Sequence, residues 1–118
     1  MNRSLLKNEV LAIDLHGAYI RRVSLRGAIL DHANLTGADC RGADFSSTRL
    51  KAAVLRNADF TDANFHAADF ENADLNGAIL KGADLTGAQN LTVQQLRVAV
   101  LDSATKLPAI LADALRLG

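Results

Sequence analysis

The chain has 118 residues, of which 22% are charged, with 13 Lys and Arg against 13 Asp and Glu for a formal net charge of zero. One small domain fits that length, and the balanced charge lacks the positive excess that drives general binding to nucleic acid. The single cysteine excludes a disulfide within the chain, and no apolar run approaches the ~20 residues that cross a bilayer.

Residues 1–12 place Leu5, Leu6, Val10 and Leu11 among charged residues, with Ser4 as a candidate helix N-cap. They contain no basic segment followed by an apolar signal core, so a cytoplasmic location is expected. Their expected role is to cover the first turn of the repetitive body that starts at Ile13, since a stacked body needs a closed end.

From Ile13 to Asn90 the chain keeps a five-residue period. Taking every fifth residue from Leu15 to Asn90 gives Leu, Ile or Phe in fourteen of sixteen cases, the exceptions being Cys40 and Asn90. Two residues before each stands Ala in thirteen of sixteen cases, broken by Ile13, Val23 and Thr48. On a helix a step of five rotates by about 140° and spreads the apolar residues over every face. On a strand an odd step sends successive large residues to opposite faces. The chain must therefore turn once per repeat, so that the large residue and its Ala point inward each time and build a coiled, solenoidal core. The departure at Thr48-Arg49-Leu50 is expected to loosen one corner.

Gly or Asn recurs at the corners, as at Gly17, Gly37, Asn57 and Gly77, where a permissive backbone is needed. Asp or Asn precedes the large residue at Asp14, Asn34, Asp39, Asp44, Asp59, Asn64, Asp69, Asp74 and Asp84. Such short polar side chains bond to backbone two residues on, so a bracing role is expected rather than a catalytic one. Cys40 takes a large apolar position and reads as a core residue.

Units such as Ala33-Asn34-Leu35-Thr36-Gly37, Ala58-Asp59-Phe60-Thr61-Asp62 and Ala83-Asp84-Leu85-Thr86-Gly87 resemble the A(D/N)LXX consensus of pentapeptide repeat proteins. The resemblance implies an all-β solenoid: a right-handed quadrilateral β-helix with four pentapeptides per coil, closed by a short C-terminal α-helical cap. About four coils at ~4.8 Å each would stand ~19 Å tall. The division is then an N-terminal cap over 1–12, a β-helix over 13–90 and a C-terminal cap over 91–118.

In the last segment Thr92-Val93-Gln94-Gln95 fits a capping box, flanked by Leu91 and Leu96 as a hydrophobic staple, so a helix is predicted from Val93 to near Val100. A second helix is predicted from Pro108, with Ile110, Leu111, Ala114 and Leu115 along one side. That stripe either covers the last coil or forms a homodimer contact, as the C-terminal helices of some family members do.

Candidate chemistry is sparse. His16, His32 and His66 fall on three different sides and cannot converge on a metal. Ser103-Ala104-Thr105-Lys106 has the Ser-x-x-Lys spacing of penicillin-binding enzymes but none of its companion motifs. No catalytic, metal or cofactor site is expected. Taking every fourth unit does single out one side, with Arg21, Arg41 and Lys81 just after the large residue and Tyr19, Arg22 and Ile79 close by. Arg and Tyr are enriched at interface hot spots, so this face is the candidate contact for an acidic protein partner. Tyr19, Ile29, Val54 and Ile79 replace the usual Asp or Asn with apolar side chains and are expected to be exposed.

A non-enzymatic interaction scaffold is thus the first functional expectation. The alternative implied by the resemblance is a mimic of duplex DNA that binds DNA gyrase and confers resistance to its inhibitors. Duplex DNA carries one negative charge per ~1.7 Å, so a ~19 Å body would need roughly eleven net negatives. The net charge of zero leaves that alternative second, and direct nucleic-acid binding is not expected either.

Overall fold

The computed structural model describes residues 12–117. The cap expected over 1–12 therefore lies outside the described residues, apart from Ala12.

From Asp14 to Gln89, one residue in every five pairs in parallel with the residue twenty positions on. Four rows result: Asp14–Asn34–Val54–Asp74, Tyr19–Asp39–Asp59–Ile79, Ser24–Asp44–Asn64–Asp84 and Ile29–Arg49–Asp69–Gln89. Twenty residues thus make one coil, and the four rows are its four sides. The bridges are isolated, so the sides are one paired residue wide and no continuous strand forms among the described residues. The corners take up the rest of each unit. The carbonyl of Leu15 accepts from the N–H of Ala18 at 3.0 Å, and Gly17, inside that turn, has φ +66°. The same bond recurs along the repeat, and a positive φ there is carried by Asn57 and Asp62 as well as by glycine. Neighbouring coils are joined on both sides of each bridge, as where Leu15 donates to Asn34 at 2.7 Å and Asn34 donates to Ile13 at 2.8 Å.

The inward frame fills the axis. Phe45, Phe60, Phe65 and Phe70 are fully buried, as are the Ala residues at 33, 43, 53, 58, 68, 78 and 83. Phe45 and Phe65, one coil apart on the same side, stack with ring centroids 5.0 Å apart and planes 14° off parallel. That separation is the strand-to-strand spacing of about 4.8 Å expressed through aromatic rings. Burial becomes complete as the first coil closes, at Leu30. Leu15, Ile20 and Leu25 of the first coil are half-buried, while Leu35, Cys40 and Phe45 above them are fully enclosed. Burial pushes the Cys40 thiol up to about 12, so it remains a protonated core group.

Thr48 does not loosen its corner. Its side chain is buried and its hydroxyl donates to the Phe45 carbonyl at 2.7 Å, while the row Ile29–Arg49–Asp69 pairs without interruption. A β-branched side chain with a satisfied hydroxyl fits where Ala normally stands.

All nine Asp and Asn residues expected to brace the turns do so. Each Oδ1 accepts from the backbone N–H two residues on, from Asp14 to His16 at 3.1 Å through Asp84 to Thr86 at 3.0 Å. At Asp14, Asp39, Asp44, Asp69, Asp74 and Asp84 these bonds favour the ionised form. Asp84 is held below the usual carboxylate range by the hydroxyl and N–H of Thr86, and Asp14 by the N–H and ring of His16.

After Asn90 the chain leaves the period. Helix α1 (Val93–Arg97) begins with the predicted capping box, Thr92 accepting from Gln95 N–H and Gln95 accepting from Thr92 N–H. Gln95 also donates to the carbonyls of Phe70 and Ala73, tying α1 to the coil beneath. The helix stops at Arg97 rather than near Val100, because Val100 is needed as the next rung on Ile79, and Lys106 follows as the rung on Asp84. These last pairings span 21 and 22 residues, the extra length being taken up by α1 and the turn after Asp102. Helix α2 (Ala109–Leu117) starts one residue after Pro108, whose carbonyl accepts from Ala112. Leu111 and Leu115 pack against the core, Ala114 is half-buried, and Ile110 is 83% exposed.

Candidate partner-binding face

The side that runs Tyr19–Asp39–Asp59–Ile79 is continued by Val100, and its corner carries Arg21, Arg41, Thr61 and Lys81 one above another. Each of these residues follows the inward residue of its unit, so the core frame itself points it outward. The next position in the turn holds Arg22, Gly42, Asp62 and Gly82, all with positive φ. Twenty-residue spacing therefore brings Arg21, Arg22 and Arg41 together in one open groove of about 580 Å³, closed on its far side by Thr61 and Asp62.

Electrostatics organise that groove. Arg41 grips Asp39 with two parallel bonds, Nε to Oδ1 and Nη2 to Oδ2, both 2.9 Å, and its own N–H approaches Oδ1 at 3.4 Å. The Arg41 bond holds the Asp39 carboxyl at about 2, well below its ordinary value. Arg21 Nε stands 3.9 Å from the same carboxylate, and Arg41 Nε stands 3.9 Å from Asp59. Thr61 is committed to Asp59, donating through both its N–H and its hydroxyl.

The six residues expected to form the face separate into two groups. Arg21, Arg22 and Arg41 line one groove at the first two coils, and Tyr19, 87% exposed, stands two residues before Arg21 without lining it. Lys81 and Ile79 lie three coils from Arg21 and Tyr19 respectively, and neither lines the groove. Ile79 is half-buried because the rungs of Asp59 and Val100 flank it, and Val54 is half-buried between Asn34 and Asp74. Of the four apolar replacements, only Tyr19 and Ile29 stand exposed. Sequence reasoning missed the role of Gly42, whose missing side chain leaves space for Arg22. The signal was present as a glycine twenty residues after an arginine at the same corner.

Among the described residues, no group of His, Cys, Asp or Glu is arranged to hold a metal, and no helix is long and apolar enough to cross a membrane. The three histidines lie on separate corners, His16 beside Asp14 and His66 beside Thr86.

Coils of four five-residue units, joined by parallel bridges around a filled axis, define a β-helical solenoid. Eight copies of the pentapeptide repeat match the chain in overlapping stretches over residues 13–51, 38–77 and 53–89, and the chain belongs to the pentapeptide repeat family, whose members fold as right-handed β-helices. Among solved structures, it is similar to a pentapeptide repeat protein, Rfr23, from the cyanobacterium Cyanothece 51142. The two share 26% identity at a TM-score of 0.76, over 85% of this chain and 67% of that one. HetL, a pentapeptide repeat protein involved in heterocyst differentiation regulation in Nostoc sp. strain PCC 7120, shares 29% identity at a TM-score of 0.59. The match covers 81% of this chain but only 46% of HetL. The pentapeptide repeat protein alr5209 of Nostoc PCC 7120 matches in fold at 24% identity and a TM-score of 0.51, over 82% of this chain and 75% of that one. Comparison with curated proteins by sequence gives no match.

Proposed function

We propose that the protein is a non-enzymatic binding module that docks an acidic protein partner on the face formed by Tyr19, Arg21, Arg22 and Arg41. The observation that carries this reading is the gathering of three arginines in one groove beside a fully projecting tyrosine. Arginine forks and an exposed aromatic ring supply the directional and apolar contacts that concentrate binding energy in few residues. The axis is filled by Leu, Phe and Ala, which supports an interaction role for the outside over substrate chemistry within. A cytoplasmic location is part of the same proposal, and host-cell fractionation checks it.

The DNA-mimic alternative draws no support from the surface. Four acidic side chains that would have to stand free are matched by bases: Asp39 by Arg41, Asp31 by Arg49, Glu71 by Lys51 and Asp74 by Arg56. We also read α2 as a cap rather than a dimer contact, a reading supported by Leu111 and Leu115 packing on their own chain while Ile110 alone projects.

The test is capture of partners from host lysate by the full chain, compared with an Arg21→Glu/Arg22→Glu variant of unchanged melting temperature. A specific protein bound by the parent and lost by the variant is the expected result. Equal capture by both refutes this face as the contact.

A further inference from the structure

We propose that the Arg21–Arg22 end of the groove is a binding site for a phosphoryl group, free or carried on a side chain of the partner. This deepens the binding-module reading of the same face and rests on it. The row itself displays how an anion is held there. One coil on, the Asp39 carboxylate takes two parallel bonds from Arg41 and a third, longer one from the Arg41 N–H. At the first coil, Tyr19 stands where that carboxylate would be, and among the described residues no acceptor meets the N–H of Arg21. Among the described residues the Arg21 guanidinium faces only Asp39, at 3.9 Å, and Arg41 already occupies both oxygens of that carboxylate.

Arg22 is also unspent among the described residues. Its Cγ lies 3.2 Å from where a Cβ on Gly42 would stand, so the side chain runs over Gly42 along the groove. Two guanidinium forks and one N–H are thus available at one end. A carboxylate offers two oxygens and one charge, whereas a phosphoryl group offers three acceptor oxygens and close to two charges, which matches two forks better. Asp62 on the far wall repels an anion placed centrally and confines it to the Arg21–Arg22 end.

The probe is inorganic phosphate, titrated into the full chain at pH 7 and low salt while the Nε–Hε signals of the arginines are followed by NMR. Acetate, a phosphoserine peptide and its unphosphorylated form are run as separate arms. The expected result is saturable shifts of Arg21 and Arg22 with phosphate, at least about tenfold tighter than with acetate, and tighter again with the phosphoserine peptide if a partner carries the group. Arg22→Gly should weaken phosphate binding about ten- to a hundredfold without lowering the melting temperature, since this corner holds glycine at Gly42 and Gly82 with the same positive φ. No saturable shift, equal binding of acetate, or undiminished binding by Arg22→Gly overturns the proposal. Capture repeated with phosphatase-treated lysate separates the two readings. A partner still captured after treatment, together with no saturable shift by inorganic phosphate, overturns the phosphoryl site and leaves the binding module standing, and a partner lost only after treatment supports both.

Discussion

Replacing Phe65 by Ala tests the inward frame where it is most densely aromatic. The ring stacks on Phe45 at 5.0 Å and meets Phe60 edge-on at 5.0 Å and Phe70 at 5.2 Å. Truncating a buried Phe costs about 3–5 kcal/mol in transfer and cavity terms, and each aromatic pair adds about 0.5–1.5 kcal/mol beyond buried area. The coils above and below are pinned by backbone bonds, so the void collapses little and the upper part of that range is expected. Leu occupies the equivalent inward position at Leu25 and Leu85, so Phe65→Leu should cost much less, about 1–1.5 kcal/mol. Tyr19→Ala, at a side chain 87% exposed, should leave stability within about 0.5 kcal/mol. Urea unfolding at pH 7, followed by far-UV circular dichroism, orders the three variants. If Phe65→Ala melts within about 1 kcal/mol of the parent, the cost of an ordinary substitution, the frame is wrong. The same holds if Tyr19→Ala costs as much as Phe65→Ala.

Leu111→Glu should lower the melting temperature by placing a charge against the last coil, costing about 1–3 kcal/mol, while light scattering returns the parent's mass; a halved mass would instead make α2 a dimer contact. Thr92→Ala removes the hydroxyl that accepts from Gln95 N–H at 3.1 Å and should cost about 1 kcal/mol in a urea melt, with no change meaning that α1 adds nothing to the cap. In acid, the depressed carboxylates contribute stability that is complete above their unfolded value near 3.8 and is lost as pH falls through the folded value, about 2 for Asp39. Urea midpoints should therefore be level above about pH 5 and decline between about pH 4 and pH 2, whereas a flat midpoint down to pH 2 would mean that the turn-bracing bonds do not favour the ionised form.

What could be read along the chain is what the five-residue unit encodes locally. The inward residue, its Ala and the Asp or Asn that braces the turn all act within three residues of each other, so spacing alone located them. What escaped depends on the neighbour twenty residues away or on the end of the repeat. Ile79 reads as exposed until Val100 becomes its next rung, and that pairing spans 21 residues because α1 intervenes. Thr48 reads as a defect because periodicity scores it against Ala, whereas the deciding fact is a hydroxyl with an acceptor 2.7 Å away. Side alone groups Lys81 with the arginines, but it stands one coil past Thr61 and Asp62, outside the groove and three coils from Arg21.

The same division explains why the surface of this fold can carry a function at little cost to the core. Inward positions fix the coil, and the braced position only needs an acceptor for one N–H. Substituting that acceptor forfeits one exposed bond of about 0.5–1.5 kcal/mol, which many units can tolerate. At Tyr19 the substitution exposes an aromatic ring and releases the N–H of Arg21 in a single step, next to the corner where Gly42 makes room for Arg22. Restoring the brace with Tyr19→Asp should therefore stabilise the first coil while placing a carboxylate within reach of Arg21, as Asp39 stands to Arg41. A variant that melts higher and binds partner or phosphate less well would tie the binding face to that one departure from the repeat; a variant that melts higher and binds equally would leave Tyr19 outside the contact.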